Sequence, residues 1–184
     1  MIYFTADWHL SHNNKHGGII KYCNRPFSSI EEMDDTIWKN FFSTVKNGDT
    51  VYFLGDLTFR KDLAEDFFDK TKGIQIHFIF GNHDHKINSI IKRRATWYGD
   101  MKYISPNGKP IVITHYAMRV WHKSHFNSWN LHGHSHGGLS PEGKQWDVGV
   151  DNNNFYPVSI NDIIGIMDKQ PDNFNLVDRS DGNR

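Results

Sequence analysis

Cysteine is nearly absent from this sequence of 184 residues, since Cys23 is the single one. One thiol excludes an internal disulfide framework and a zinc site built on several cysteines. We therefore expect Cys23 to be a small buried residue rather than a nucleophile. The N-terminus also lacks a charged segment followed by an apolar one, so no signal peptide is predicted. These absences predict a protein of a reducing compartment, the cytoplasm.

Net charge and long apolar runs are lacking as well. The 21 Lys and Arg residues balance 21 Asp and Glu residues, so the formal net charge is zero. A basic field over the whole molecule, which would bind nucleic-acid backbones, is therefore absent. The local basic patch of Lys92, Arg93 and Arg94 is interpreted as a solvated helix face. No apolar run is long enough to span a bilayer, so no membrane partner is predicted. Because a basic field is absent, no obligate nucleic-acid partner is predicted either.

Strand and helix patterns alternate along the chain, which predicts the α/β class. We place a single domain over residues 1–178 and a polar C-terminal tail over residues 179–184. The later strands come with few helices, which indicates a mixed sheet or two packed sheets. The predicted strands are Ile2–Thr5, Val51–Leu54, Gln75–Phe80, Ile111–Thr114, Trp129–His132 and Trp146–Val150. The predicted helices are residues 30–41 behind a Ser29 cap, Leu63–Lys70, Lys86–Arg94 and Ser159–Met167.

Side chains that can bind a metal follow five of the predicted strands, at the point where each strand ends. Taken singly, each has an ordinary structural explanation, such as a turn, a helix cap or a satisfied buried histidine. Their coincidence at strand ends favours one shared site, because ligands of α/β sheets lie outside the carboxyl ends of the strands. The residues are Asp7, His9, Asp56, Asn82, His83, Asp84, His115, His134 and His136.

The ligand types indicate which metals this site would hold. Carboxylate, amide and imidazole groups without a thiolate suit Mn, Fe, Ni, Co or Zn, with manganese as the first expectation. The set is too large for one tetrahedral zinc and suits two adjacent ions. A shared carboxylate is needed to hold two cations about 3.5–4 Å apart, and Asp56 is the natural bridge.

The order of these motifs resembles the calcineurin-like metallophosphoesterase superfamily, in particular its small single-domain bacterial and phage members. The resemblance lies in Asp7-x-His9, Gly55-Asp56, Gly81-Asn82-His83-Asp84, His115 and Gly133-His134-x-His136, with similar segments at 21–27 and 148–151. It implies a two-sheet αββα sandwich. It also implies one metal on Asp7, His9, Asp56 and His136, and a second metal on Asp56, Asn82, His115 and His134. His83 would be the catalytic histidine, oriented by Asp84.

The resemblance further implies hydrolysis of a phosphate ester by a metal-bridging hydroxide. We expect phosphodiesters of small molecules or nucleotides, including cyclic nucleotides, as the substrates. The alternatives are a phosphomonoesterase, a protein phosphatase, a nuclease and a non-catalytic scaffold of the same fold. Phe59 stands where protein phosphatases carry an acid beside the arginine that matches Arg60, which disfavours that activity. Candidate substrate contacts are His12, Arg25, Arg60 and Arg119, although a surface loop or an ion pair also explains each.

Overall fold

Two β-sheets form the centre of the fold in residues 1–14 and 16–177, the part of the chain that the computed structural model describes. The predicted tail at 179–184 lies outside the described residues. From edge to edge, the first sheet contains β4 (Trp97–Gly99), β3 (Gln75–Ile79), β2 (Thr50–Phe53), β1 (Ile2–Thr5) and β9 (Val158–Ser159). The second sheet contains β5 (Met101–Ile104), β6 (Ile111–Thr114), β7 (Trp129–His132) and β8 (Gln145–Asp147).

Parallel pairing brings together the ends of the strands that precede the motifs. β1, β2 and β3 run parallel, with Thr5 opposite Phe53 and Phe53 opposite Phe78. β6, β7 and β8 also run parallel, whereas β5 and β9 are antiparallel to their neighbours. Because the carboxyl ends of parallel strands meet at one edge of a sheet, the segments after them converge. This geometry is the one that a shared site requires.

The predicted strands are confirmed, with small end differences at β2 and β3, except for Trp146–Val150. There the strand ends at Asp147, because the amide of Gly149 donates to Asp147 Oδ1 (2.7 Å) and leaves the ladder. The amide of Val150 then donates to the carbonyl of Ala6 (3.1 Å), so this segment turns towards the loop after β1. The unpredicted strands β4, β5 and β9 lie at sheet edges, where the apolar pattern is weakest.

Five helices occur in the described part of the chain: α1 (Gly18–Tyr22), α2 (Ile30–Thr44), α3 (Lys61–Lys70), α4 (Asn88–Arg94) and α5 (Ile160–Lys169). Ser29 caps α2 by accepting from the amide of Glu32, and Ser159 forms a capping box at α5 with Asp162. α4 starts later than the predicted Lys86, because residues 84–86 form a separate 3-10 turn. Among the described residues, no helix has the length and apolarity to cross a membrane. The cytoplasmic location stays a prediction.

Apolar side chains pack on both faces of the first sheet. On one face, Trp8 packs edge-on against four rings at centroid distances of 5.1–5.6 Å, those of Trp38, Phe41, Phe53 and Phe67. On the other face, a second apolar cluster joins the two sheets through Phe4, Leu54, Ile79, Ile111 and Leu131. Helix α5 packs against β1, β8 and β9. The predicted α/β sandwich of two sheets with flanking helices is confirmed.

Candidate metal centre

The loop after β1 places Asp7 and His9 on either side of Trp8, whose indole is buried in the core. The amide of Asp7 donates to the carbonyl of Gly55 (2.9 Å), and the amide of His9 donates to the carbonyl of Asp56 (3.0 Å). The loops after β1 and β2 therefore lie side by side. Packing of Trp8 thus fixes a segment whose two neighbouring residues are candidate ligands.

The backbone is strained at five of the candidate ligands. Left-handed φ values of 48° to 67° occur at Asp7, His9, Asp56, His134 and His136. Such a conformation costs of order 1–3 kcal/mol at a residue other than glycine and is concentrated at functional sites. The fold sustains this strain at the edge where the strands end, which is consistent with a functional site there.

Glycines allow the loops around the candidate ligands to approach closely. A Cβ on Gly81 would lie 2.1 Å from Asp56 Oδ1, and a Cβ on Gly149 would lie 2.6 Å from Asp7 Oδ2. Neither distance is compatible with a methyl group, so both carboxylates rest directly against glycine backbone. The sequence pattern places Gly81 beside a crowded site, but it predicts no role for Gly149.

The candidate ligands form two groups among the described residues. Potential ligand atoms of Asp7, His9 and His136 lie within 4.8 Å of one another, and so do those of Asp56, His115 and His134. Asn82 joins the second group, since its Oδ1 is 3.1 Å from His115 Nε2. Asp56 Oδ2 lies 3.6 Å from both His9 Nε2 and His115 Nε2, between the groups. The arrangement has the form of two adjacent metal positions with a shared carboxylate.

Buried polar atoms without partners test whether these residues fit metal ions. Within the described residues, Asp7 Oδ1 and both ring nitrogens of His9 are buried and have no hydrogen-bond partner. Burial raises the pKa of the Asp7 carboxyl to about 7 and lowers the pKa of His9 well below its usual value. An unpaired buried polar group costs of order 1–3 kcal/mol, and a divalent cation would supply the missing partner. The donors therefore fit divalent ions.

Asp56 stays ionised at the centre of the two groups. Burial acts to raise its pKa, but hydrogen bonding and the charge of His115, together with His9 and the amide of His83, bring the pKa to about 2. The His83 amide donates to Asp56 Oδ1 at 2.9 Å, which leaves Oδ2 facing the histidine rings. A permanently charged carboxylate in this position is suited to bridging two cations.

A buried ion pair orients His136 from behind. His136 Nδ1 lies 2.7 Å from Asp151 Oδ2, which leaves Nε2 for the first group, and Asp151 also accepts from Arg25 Nε at 2.7 Å. Burial acts to lower the pKa of His136, but the hydrogen bonds to Asp151 and Cys23 and the charges of Asp7 and Asp151 together raise the pKa to about 10. Carboxylates behind metal-binding histidines fix ring orientation and increase ligand basicity. The sequence predicts no role for Asp151, although the segment 148–151 is part of the family resemblance.

The structure corrects the expectation that Arg25 binds substrate. Its side chain is 0 % exposed, and its guanidinium donates to the carbonyls of Asp7 (2.6 Å) and Trp8 (3.0 Å) as well as to Asp151. With all of these partners, Arg25 holds the loop after β1 and is closed to a ligand.

His83 lies at the entrance of the site, while Asp84 lies beneath it. The His83 side chain is 41 % exposed, and its Nε2 is 3.9 Å from Asp56 Oδ2. The Asp84 carboxylate accepts hydrogen bonds from the amides of Asp56 (2.8 Å), Leu57 (3.1 Å) and Gly81 (2.7 Å). Within the described residues, Asp84 therefore makes no hydrogen bond to the His83 ring, so it does not orient that ring directly as the resemblance implied. Asp84 instead fixes the two loops that carry Asp56 and His83.

The other candidate substrate contacts differ in their placement. The His12 ring lies 5.5 Å from the His9 ring and 4.8 Å from the Phe59 ring, so it borders the site. Arg60 forms an exposed ion pair with Asp62, and Arg119 pairs with Glu142 and stacks on Phe174 at 4.2 Å. Each of these two arginines thus has a carboxylate partner of its own.

Comparison with known proteins identifies the family. Residues 1–178 match the family model described as calcineurin-like phosphoesterase. The chain belongs to the calcineurin-like phosphoesterase family. This phosphoesterase is 35 % identical over 179 residues to the uncharacterised protein MJ1445 of Methanocaldococcus jannaschii, covering 91 % of this chain and 92 % of that protein. It is also similar to the crystal structure of the protein of unknown function AQ665 from Aquifex aeolicus, at 25 % identity and a TM-score of 0.69, covering 90 % of this chain and 98 % of the other.

Membership of the calcineurin-like phosphoesterase family implies a metal-dependent hydrolase of phosphoric esters. It likewise implies divalent metal ions, for which the two groups of histidine and aspartate side chains are the candidate positions. The predicted family and the coarse activity are therefore confirmed.

Proposed function

We propose that this phosphoesterase hydrolyses phosphodiesters of small molecules or nucleotides at a site with two divalent cations. The observation that carries the proposal is the pair of donor groups on either side of Asp56, whose Oδ2 is 3.6 Å from a histidine of each group. Buried polar atoms of Asp7 and His9 that lack a hydrogen-bond partner support it, because such atoms destabilise the fold unless a bound ligand interacts with them.

The proposed ligand sets follow the two groups. One ion would be held by Asp7, His9, Asp56 and His136, and the other by Asp56, Asn82, His115 and His134. Divalent ions bound there would lower the pKa of a water and neutralise charge on the phosphate oxygens. The mixed oxygen and nitrogen donors suit manganese first, with Fe, Zn, Ni or Co as alternatives.

His83 is the proposed general acid for the leaving alkoxide. Its ring is accessible at the entrance, and its backbone amide donates to Asp56 at 2.9 Å, so the backbone that carries the ring is held next to the bridge. A positioned acid increases the rate of such a step by about 10²–10⁴-fold. Asp84 acts as a positioning residue, because its bonds to three amides hold the loop on which His83 stands.

The preference for diesters rests on the arginines. A phosphomonoester carries an additional negative charge, which protein side chains usually bind through guanidinium groups. Arg25 is buried, and Arg60 and Arg119 lie in ion pairs with carboxylates, so none of these candidates is already positioned to bind that charge. A diester does not require such a group.

The test is hydrolysis of bis-p-nitrophenyl phosphate and of p-nitrophenyl phosphate by the full chain loaded with Mn²⁺. We expect higher kcat/KM for the diester, loss of turnover after chelation, and recovery on adding Mn²⁺ back. Asp56→Asn should abolish turnover and metal binding together, because it alters the shared bridge. Asp168→Asn, at an exposed position on α5, is the matched control and should behave as the wild type. Turnover that survives chelation, or a higher kcat/KM for the monoester, would contradict the proposal.

A further inference from the structure

A wide basic groove of about 810 Å³ lies beside the proposed metal site. We define the basic groove by the residues that line it and bear on its chemistry, which are Phe59, Lys61, His85, Lys86, Asn88 and Lys92. Among the described residues that line the groove, three are lysines and none carries a carboxylate. The groove thus combines a large opening with charge of one sign.

Phe59 connects the basic groove to the site. Its ring lies 4.9 Å from the His83 ring and 4.8 Å from the His12 ring, both of which border the proposed metal positions. His83 is followed directly by the 3-10 turn at 84–86, which carries His85 and Lys86 into the groove wall. A substrate held at Asp56 could therefore continue past Phe59 into the groove.

The groove lysines carry charge that no neighbouring acid neutralises. Among the described residues, Lys61, Lys86 and Lys92 form no ion pair with a carboxylate. The nearby Glu65 is already paired with the two arginines at 93 and 94. The basic patch at 92–94, interpreted from sequence as a solvated face, is thus divided. Its arginines are paired with acids, whereas Lys92 faces the groove.

The groove also offers contacts for the uncharged parts of a nucleotide. Asn88 lines the groove, and a side-chain amide can accept from or donate to a sugar hydroxyl or a base. The Phe59 ring lines the groove next to the site, and aromatic rings stack on bases with a gain of about 1–3 kcal/mol per base. Inorganic polyphosphate would use neither group.

From these observations we propose that the basic groove binds further phosphate groups of a nucleotide substrate, beyond the phosphate that is cleaved. The inference rests on the proposed function and specifies its substrate class as phosphate-rich nucleotides. Such a nucleotide can be a nucleoside polyphosphate or a short single-stranded oligonucleotide, because both present successive phosphates to the same lysines. The zero net charge of the chain is compatible with this proposal, since the field is local to the groove.

The experiment compares two triple variants of the Mn²⁺-loaded full chain. Lys61→Gln/Lys86→Gln/Lys92→Gln removes the groove charges, and Lys39→Gln/Lys72→Gln/Lys169→Gln removes exposed lysines outside the groove. Both change the net charge equally, so the comparison separates a local effect from a general one. Binding is measured by fluorescence anisotropy with two labelled probes that resist hydrolysis, a phosphorothioate-linked pentathymidylate and the β,γ-imido analogue of ATP.

For at least one probe, we expect the groove variant to raise Kd by about tenfold or more while the control stays within about twofold of wild type. Because the groove variant lacks three lysines that would each bind a phosphate, the slope of log Kd against log salt concentration should fall by about 2 for the oligonucleotide. If only the oligonucleotide binds the groove variant more weakly, the substrate is a short single-stranded oligonucleotide. If only the ATP analogue does so, the substrate is a nucleoside polyphosphate. Equal Kd values in the two variants for both probes would overturn the inference.

Turnover of bis-p-nitrophenyl phosphate separates this inference from the proposed function. That substrate carries no further phosphate, and the probe measurements do not depend on catalysis. If wild-type enzyme with Mn²⁺ fails to hydrolyse it, the proposed function fails, whatever the probes show. If it is hydrolysed and the probes do not distinguish the variants, the groove assignment alone fails.

Discussion

At the scale of single residues, His83 is the side chain whose proposed role depends least on holding the metals. Its ring is partly exposed, and it approaches the site through its backbone amide and through Nε2 at 3.9 Å from Asp56. We expect His83→Ala to lower kcat on an alkoxide-leaving diester by about 10²–10⁴-fold. The metal content, measured by mass spectrometry, should remain that of the wild type.

The leaving group supplies the control for His83. p-Nitrophenolate leaves without protonation, so the same variant should lose much less activity on bis-p-nitrophenyl phosphate than on the alkoxide ester. An equal loss on both substrates, or lost metal, would show that His83 positions the site rather than donating a proton.

Asp151 holds the ring of His136, one of the three candidate ligands in the group of Asp7, His9 and His136. The Asp151 carboxylate orients His136 and accepts a hydrogen bond from Arg25. Asp151→Asn should therefore weaken metal binding by about 10–100-fold. Titration of the chelated protein with Mn²⁺ measures this change, and Asp168→Asn is again the control. An unchanged affinity would mean that the ring is held by its loop alone.

Gly81→Ala tests whether activity depends on the close approach of the loops that carry Gly81 and Asp56. A Cβ there would meet Asp56 Oδ1 at 2.1 Å and displace the shared carboxylate. We expect Gly81→Ala to reduce kcat/KM by about 10²-fold or more, since a displacement near 1 Å has that effect on reactive geometry. Gly165→Ala on α5, where an added Cβ would have no atom of the described residues within 4 Å, should retain full activity. Circular dichroism establishes whether each variant folds.

The candidate ligands are predictable from the sequence, whereas the residues behind them are not. Each ligand follows an apolar run closely, so local pattern and topology together place it at the sheet edge. Arg25 and Asp151 are 126 positions apart, and their pairing depends on how the segment after β8 turns back onto the loop after β1. A lone arginine and a lone aspartate carry no local signal of that contact. For the same reason the sequence suggests the adjacent His83 as the partner of Asp84, rather than three amides.

At the scale of elements, strand β3 places His77 beside a lysine of the second sheet. Its ring lies 4.9 Å from Tyr52 and 6.5 Å from Trp97, and its Nδ1 is 2.9 Å from Lys102 Nζ on β5. Burial, and next the charge of Lys102, lower the pKa of His77 from 6.5 to about 4. The folded state therefore binds this proton less readily than the unfolded chain does.

This depressed pKa has a defined effect on stability. The contribution of His77 is fully present above pH 6.5 and is lost as the pH falls from 6.5 towards 4. After allowing for solvent screening at this partly buried position, we expect a loss of about 1 kcal/mol. Urea unfolding at pH 7.5 and pH 5 measures it, and His77→Phe should show a smaller difference between the two pH values. An identical pH difference in wild type and variant would assign the acid sensitivity to other groups.

Predictability of the elements follows from their place in the sheets. Central strands such as β1, β6 and β7 are apolar runs, and the sequence predicts their observed ends. β4, β5 and β9 lie at sheet edges, and α1 is a single short turn of helix, so none has a long periodic pattern. The predicted end of β8 is wrong because Val148 and Val150 are buried outside a strand. A buried segment has the same apolar sequence pattern whether or not its backbone continues the hydrogen bonding of the strand.

At the scale of the whole molecule, the proposed metal site joins both sheets, since its donors follow strands of each. Bound ions would therefore stabilise the native state as a unit, because an unfolded chain cannot assemble donors from so many loops. Free Mn²⁺ at 100 times its dissociation constant should add about 2.7 kcal/mol for one ion. With about 2–4 °C per kcal/mol for a chain of this size, Tm should rise by about 5–10 °C over the chelated protein.

Scanning fluorimetry with and without chelator measures this shift, and Asp7→Asn tests its origin. Asp7 Oδ1 is buried and lacks a partner among the described residues, so the wild-type apoprotein bears a cost that the ion removes. The variant cannot ionise there, and its Tm should respond to Mn²⁺ less than the wild type while its apoprotein is no less stable. Because burial already raises the pKa of Asp7 to about 7, an uncharged side chain at this position suits the metal-free fold. A full Mn²⁺ shift in Asp7→Asn would show that the ion binds elsewhere, and the two-sheet site would lose its role in stability.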